Sequence, residues 1–202
     1  HLWDAYVALG LNSLRLGSEM EAQGKKLLDE AFQRDPFNLT VFNTLKVMEG
    51  LQSDYETVQT KHFNIKIHKS EKDLLAPYVA ELLENCYDKF TALYQFEPTT
   101  PIAVEVMEDH NDFSVRTLGL PGFGALGVCF AKTFLVLSPS VQDQLAKRFH
   151  WGAITAHEFM HVITLQMSKF RVPRWFTEGC SVYAEKLANP IWGRELEIDI
   201  IR

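Results

Sequence analysis

Two histidines with a glutamate between them are the residues of this 202-residue chain whose types and spacing best suit chemistry. The pentad His157-Glu158-Phe159-Met160-His161 has the form HExxH. Residues four apart on an α-helix project from nearly the same face, so both imidazoles can reach one cation without distorting the backbone. Imidazole nitrogens bind zinc at about 2.0–2.1 Å. The pentad therefore predicts that His157 and His161 bind one metal ion, with Zn²⁺ as the expected cofactor.

The glutamate inside the pentad is the expected catalytic residue. On a helix Glu158 points to the flank beside the two imidazoles. A zinc ion lowers the pKa of water that it binds from 15.7 to roughly 7. A carboxylate on that flank can accept the proton that such water releases, so Glu158 is predicted to be the general base of a hydrolysis.

A catalytic zinc site usually has three protein ligands and one open position, which requires a third ligand outside the pentad. The best candidate is Glu178, which lies 17 residues after His161 in the stretch PRWFTEGCSVYAEK. Pro173 ends one helix, and a new helix that begins near Trp175 would carry Glu178 in its first or second turn. The 17-residue interval is long enough for the first helix to end, for the chain to reverse direction, and for a second helix to run antiparallel to the first.

Cys180 is the alternative third ligand. Two residues along a helix turn a side chain by about 200°, so Cys180 and Glu178 cannot face the same ion. We expect Cys180 to be a small core residue.

The residues before the pentad must position it, and their hydrophobic periodicity changes along the chain. Residues 2–50 have apolar positions at helical spacing, with a break at 34–38. Alternation in 63–67 predicts a half-buried strand, and a long helix is expected over 71–94. The sequence therefore predicts a short all-α segment over residues 1–52, followed by a second domain over 53–202.

Further strands and helices complete the predicted second domain. A strand is expected at 102–106, and residues 127–131 and 134–138 are expected to form a hairpin. Three helices are expected between 141 and 187. The prediction is an α+β fold in which a small mixed sheet precedes a helical pair that carries the metal-binding residues. The aromatic residues of that pair, Trp151, Phe159, Trp175 and Phe176, are expected to pack between helices.

Composition excludes several classes of partner. The net charge is −6, and no Lys/Arg cluster occurs beyond short pairs such as Lys25-Lys26 and Lys147-Arg148, which argues against nucleic acid. No run of 18 apolar residues occurs, so no membrane span is expected in this chain. The three cysteines form no CxxC pair and are expected to be free thiols. The chain begins at His1 and stops in a charged stretch, so we expect a piece of a longer protein, for which a periplasmic or extracellular location is favoured.

The pentad followed by WFTEG resembles the gluzincin zinc metallopeptidases, in particular the peptidase MA-like group, over about residues 55–188. The resemblance implies a zincin-type domain with His157, His161 and Glu178 as zinc ligands and Glu158 as base. It also implies an edge strand over 124–131 that aligns a peptide or protein substrate, with Gly124, Ala125, Leu126 and Gly127 nearest the metal. The phrase LLDEAFQRDPFN in the all-α segment resembles the end of a tetratricopeptide repeat, which implies binding of a protein partner.

The chain departs from the family pattern in two places. Thermolysin-like members have an acidic residue four positions after the glutamate ligand, where this chain has Val182, so the groups that orient the histidine rings are not identified. No tyrosine or histidine after Leu187 is suited to stabilise an oxyanion, and such a donor is expected beyond Arg202 if the reaction needs one. The alternatives to a peptidase are an inactive zincin-fold scaffold whose helical segment binds a protein, and a hydrolase of another amide.

Overall fold

The computed structural model describes residues 2–145 and 149–188 of the chain. Within these ranges the chain adopts an α+β fold, which confirms the predicted fold class. The helices of the described part are α1 (Leu2–Ser13), α2 (Ser18–Arg34), α3 (Leu39–Ser53), α4 (Lys69–Tyr94), α5 (His110–Leu118), α6 (Val141–Gln144), α7 (Trp151–Met167) and α8 (Arg174–Ala188). The strands are β1 (Tyr55–Gln59), β2 (Phe63–His68), β3 (Ile102–Met107), β4 (Gly127–Cys129) and β5 (Thr133–Leu137).

The five strands form one mixed sheet in the order β1-β2-β3-β5-β4. The three inner strands run parallel, with β3 between β2 and β5. The two outer strands are antiparallel to their neighbours, since β1 pairs with β2 and β4 pairs with β5. The short strand β4 therefore forms one edge of the sheet.

One face of the sheet packs against α4 and α7 and forms the larger core. Alternate residues of β2 and β3 point to this face and are buried, as the period of two in a strand requires. Phe159 of α7 is fully buried in this core, where its ring contacts Phe63, Tyr87 and Phe90. Phe159, the middle residue of the HExxH pentad, thus packs α7 against the sheet and against α4.

The opposite face is covered by α1–α3 and α5. Its apolar part joins Leu135 and Leu137 of β5 to Leu28 of α2 and Val41 of α3 in a second core. Its polar part holds a buried ion pair between Arg116 Nε and Glu105 Oε2, 2.9 Å apart. The N-terminal helices therefore share a core with the sheet, while the boundary between 1–52 and 53–202 stays a prediction.

Helices α7 and α8 are joined by the short turn 168–173 and pack together as an antiparallel pair. The side chain of His150 caps α7 by accepting a hydrogen bond from Ala153 N at 3.0 Å. Thr177, Ser181 and Ala184 of α8 are buried, because their spacing places them on one helical face, toward α7. Among the described residues, no helix has both the length and the apolar content that crossing a bilayer requires.

Several elements differ from the sequence prediction. Strand β1 and helix α5 were not predicted: the burial of β1 lacks strict alternation, and α5 lies next to a glycine-rich stretch. The edge strand is shorter than predicted, 127–129 rather than 124–131. The prediction that Trp175 and Phe176 pack between helices is wrong, since their side chains are 74% and 48% exposed.

Candidate metal centre

The three predicted ligands converge between α7 and α8. His157 and His161 lie one turn apart on α7, and Glu178 lies in the second turn of α8. The Nε2 atoms of the two histidines are 3.1 Å apart, and Glu178 Oε2 lies 3.5 Å from His157 Nε2 and 3.6 Å from His161 Nε2. Within the described part of the chain, these three residues are the only group of three histidine, cysteine or acidic side chains close enough to share an ion.

The three separations fit one small cation. Ligand atoms at about 2.0–2.1 Å from a tetrahedral zinc ion lie roughly 3.3 Å from one another. The observed distances of 3.1–3.6 Å match that triangle within a few tenths of an ångström. The residues present therefore fit a metal ion with three protein ligands.

Glu185 orients the first histidine ring. His157 Nδ1 makes a short hydrogen bond to Glu185 Oε1, and both side chains are largely buried. With the proton held on Nδ1 by this carboxylate, the lone pair of Nε2 is free to bind a cation. Such carboxylate–histidine contacts fix the tautomer and raise the basicity of the ligand.

A chain of hydroxyl groups orients the second ring. His161 Nδ1 lies 2.7 Å from Thr177 Oγ1, which lies 2.6 Å from Thr164 Oγ1. Thr164 Oγ1 in turn donates to the carbonyl oxygen of Met160 at 3.0 Å. Because this carbonyl oxygen can only accept, Thr164 donates to it and Thr177 donates to Thr164. The Nδ1 atom of His161 then donates to Thr177 and carries the proton of the ring. The Nε2 lone pair of His161 is thus also directed at Glu178 and His157.

Neither of these orienting groups was predicted from the sequence. The position four residues after Glu178, where an acid was expected, holds Val182, which is 54% exposed on the outer face of α8. Glu185 lies seven positions after Glu178, and seven residues complete almost two helical turns, so the two carboxylates share one face. Thr177 precedes Glu178 and points to α7. The sequence signal that could have identified Glu185 is its spacing of seven residues from Glu178 on the same helix.

Glu158 occupies the position predicted for a base. Its side chain lines the same cleft as the three ligands but is only 6% exposed. Burial raises the pKa of Glu158 to about 8, although the nearby His157 acts in the opposite direction. A cation beside this carboxyl group would favour its ionised form, since opposite charges stabilise each other.

The backbone of β4 approaches Glu158 closely. A Cβ atom at Gly127 would lie only 2.6 Å from both Cγ and Oε1 of Glu158. Any side chain at position 127 would therefore displace the carboxyl group. Glycine is required here by this close approach rather than by backbone conformation.

The cleft has a volume of about 340 Å³ and opens beside β4. Of the four residues predicted to bind substrate, Ala125 and Gly127 line it together with His157, His161 and Glu178. Gly124 and Leu126 are not among its lining residues. Gly124 faces open space, and Leu126 packs on the second core. The cleft is completed by Phe123, Val128, Cys129, Leu165, Arg174 and Thr177.

The protonation of the two histidines differs. Burial, together with the neighbouring His157, lowers the pKa of His161 to about 4, so this ring is neutral at physiological pH. Burial also acts to lower the pKa of His157, but the hydrogen bond to Glu185 and the nearby carboxylates outweigh it and raise the pKa above its ordinary value. His157 is therefore the ligand for which a proton competes with a metal ion.

The cysteines take no part in this arrangement. Cys180 is partly buried against the larger core and is not a member of the ligand group, as its predicted orientation on α8 requires. Cys129 lines the cleft, but burial and the nearby Glu158 raise the pKa of its thiol far above the ordinary range. A thiol that stays protonated is a poor nucleophile.

Comparisons with family models, with curated proteins and with solved structures find no match for this chain. The assignment of a function therefore depends on the geometry of the site and on the resemblance carried by its residues.

Glu185→Gln tests the orienting role of this carboxylate. The amide is nearly isosteric but cannot supply the negative charge that stabilises His157 as a ligand. We expect the affinity for Zn²⁺ to fall by about 10–100-fold, measured by competition with a chelating indicator. Glu81→Gln, at an exposed position of α4, is the matched control and should leave the affinity unchanged. Equal affinity in both variants would show that Glu185 has no orienting role.

The raised pKa of His157 predicts how metal affinity depends on pH. Below that pKa the metal must displace a proton from the ring, whereas His161 stays neutral down to about pH 4. Affinity should therefore be highest at neutral to slightly alkaline pH and fall by about tenfold per pH unit below the pKa of His157. Chelator competition from neutral to mildly acidic pH measures the slope, and an affinity independent of pH would contradict the assigned ligand.

Proposed function

We propose that this protein is a zinc-dependent metallopeptidase of the gluzincin type. The proposal rests on one observation above all: His157, His161 and Glu178 bring three ligand atoms within 3.1–3.6 Å of one another, beside the buried carboxyl group of Glu158. HExxH alone occurs on many amphipathic helices, but a third ligand from the next helix at tetrahedral spacing is a much more specific arrangement.

In the proposed reaction the metal ion and Glu158 have separate roles. A zinc ion at such a site acts as a Lewis acid that polarises a carbonyl group and makes water acidic. Glu158 is placed to accept the proton of the attacking water and to pass it to the leaving amine. Burial raises the pKa of Glu158 whereas a bound cation would lower it, and a base whose pKa these opposing effects keep near the working pH can both take up and release a proton.

The edge strand supports a peptide as the substrate. Leu126 O accepts from Leu137 N, and Phe130 N donates to Thr133 O, so residues 126, 128 and 130 form the hydrogen-bonded pairs with β5. In an antiparallel pair the intervening residues direct their backbone groups away from the partner. The N–H and C=O groups of Gly127 and Cys129 are thus directed to the open edge, beside the cleft, where an extended peptide can add as a further strand.

Glu158→Gln is the experiment that tests the proposed chemistry. The amide keeps the size of the side chain but cannot accept a proton, so hydrolysis of a quenched fluorescent peptide library should fall by about 10²–10⁴-fold. Zinc content should stay at the wild-type level, because Glu158 is not a ligand. Glu81→Gln serves as the control. Undiminished hydrolysis by Glu158→Gln would overturn the assigned base, and no hydrolysis by the wild-type protein loaded with zinc would favour the scaffold alternative.

Gly127→Ala tests the contact between β4 and Glu158. The added methyl group would lie 2.6 Å from Glu158 Oε1 and must push the carboxyl group aside. We expect kcat to fall by about tenfold or more, since displacing a proton-transfer group by about 1 Å is costly, while zinc stays bound. Gly124→Ala, where an added Cβ meets no atom within 4 Å, is the matched control from the same stretch. Equal kcat values for the two variants would show that the contact does not matter.

A further inference from the structure

The turn between α7 and α8 and the outer face of α8 form an exposed surface that is both apolar and basic. We call it the outer patch. Its apolar side chains are 45–74% exposed and its basic side chains are also exposed. The apolar members are Met167, Phe170, Trp175, Phe176, Val182 and Tyr183, and the basic members are Lys169, Arg171 and Lys186.

The outer patch follows from the orientation of α8. Because Thr177, Ser181 and Ala184 face α7, the opposite side of the helix carries Trp175, Val182 and Lys186. Chance exposure of one large apolar side chain is common, but several on one turn and the helix that follows it, interspersed with basic residues, are typical of an interaction surface.

The charge of the outer patch is opposite to that of the whole protein. The chain has a net charge of −6, yet residues 167–188 contain four cations and only two acids, Glu178 and Glu185. Glu185 is directed at His157, and Glu178 lies beside His157 and also pairs with Arg174, whose Nε is 3.4 Å from Glu178 Oε1. Lys169, Arg171 and Lys186 form no ion pair with any residue that the structure describes, so their charges remain available to a partner.

The backbone of the turn keeps one aromatic residue in solvent. Lys169 and Phe170 both adopt left-handed conformations, with φ of 51° and 61°, which L-residues disfavour. A hydrogen bond of 2.8 Å from Phe170 N to Leu165 O holds this turn. The turn thus fixes Phe170, which is 68% exposed, at the tip of the helical pair.

We propose that the outer patch docks on the surface of an anionic lipid bilayer. Aromatic side chains insert at the boundary between headgroups and acyl chains, while Lys and Arg pair with headgroup phosphates, as on an interfacial amphipathic helix. Side chains that are 45–74% exposed protrude rather than line a groove, and protruding apolar groups suit a fluid bilayer better than a rigid protein surface. The patch contains no metal ligand, so this inference does not depend on the proposed peptidase activity.

Sedimentation with sucrose-loaded vesicles tests the proposal. The full chain is mixed with vesicles of equal parts phosphatidylglycerol and phosphatidylcholine, or of phosphatidylcholine alone. We expect at least about tenfold stronger partitioning to the anionic vesicles, since each basic residue near such a surface contributes to binding. Raising the salt from about 0.1 M to about 1 M shortens the screening length from roughly 10 Å to roughly 3 Å and should abolish this preference.

Two pairs of substitutions locate the binding surface. Phe170→Ser with Trp175→Ser, and separately Lys169→Gln with Arg171→Gln, should each reduce partitioning by about tenfold or more. The matched controls lie on other surfaces. Phe37→Ser removes an aromatic side chain that is 90% exposed, and Lys26→Gln with Lys61→Gln removes two exposed cations; both should bind as the wild type does.

Three outcomes would overturn the proposal. One is no sedimentation of the wild-type protein with anionic vesicles, and another is equal loss of binding in the control variants. The third is binding to polyglutamate, lost in the outer-patch variants, with no binding to vesicles, which would assign the surface to an acidic polypeptide. Since none of the substituted residues is a ligand or the base, zinc content and hydrolysis measured in parallel keep a failure here separate from a failure of the proposed function.

Discussion

The hydrogen bonds from α8 to the Nδ1 atoms of the two histidines are the interactions on which the site depends. Glu185 and Thr177 hold the rings of His157 and His161 by their Nδ1 atoms, so that both Nε2 atoms face Glu178. The antiparallel course of the helices makes this possible, because the residue nearer the start of α7 meets the residue nearer the end of α8. One helical pair thus supplies the ligands and also the groups that orient them.

The sheet contributes rigidity and the wall of the cleft. Phe159 fixes α7 to the core through three aromatic contacts, while its neighbour Glu158 points the other way, to β4. Gly127 of that strand sets how near the carboxyl group lies to the backbone. The position of the short edge strand β4 against α7 therefore both buries Glu158 and leaves backbone groups of β4 open beside the candidate metal site.

Local patterns in the sequence predicted the helices other than α5, four of the five strands and the four residues at the centre of the candidate site, because helical and strand periodicities depend only on neighbouring residues. They did not predict β1, whose partners and exposure are set by its position at the sheet edge. Glu185 was missed because its role depends on which turn of α8 meets which turn of α7, a property of packing. Trp175 was assigned to the core because composition alone cannot tell which face of a helix has a partner.

Metal content is the most direct measure of the central claim, that three side chains from two helices form one zinc site. Protein purified without added metal would be analysed by elemental analysis, with His161→Ala and Cys180→Ala alongside the wild type. The account predicts about one zinc ion per chain in the wild type and in Cys180→Ala, and its loss in His161→Ala. The absence of zinc from the wild type even after reconstitution, or its retention in His161→Ala, would contradict the account.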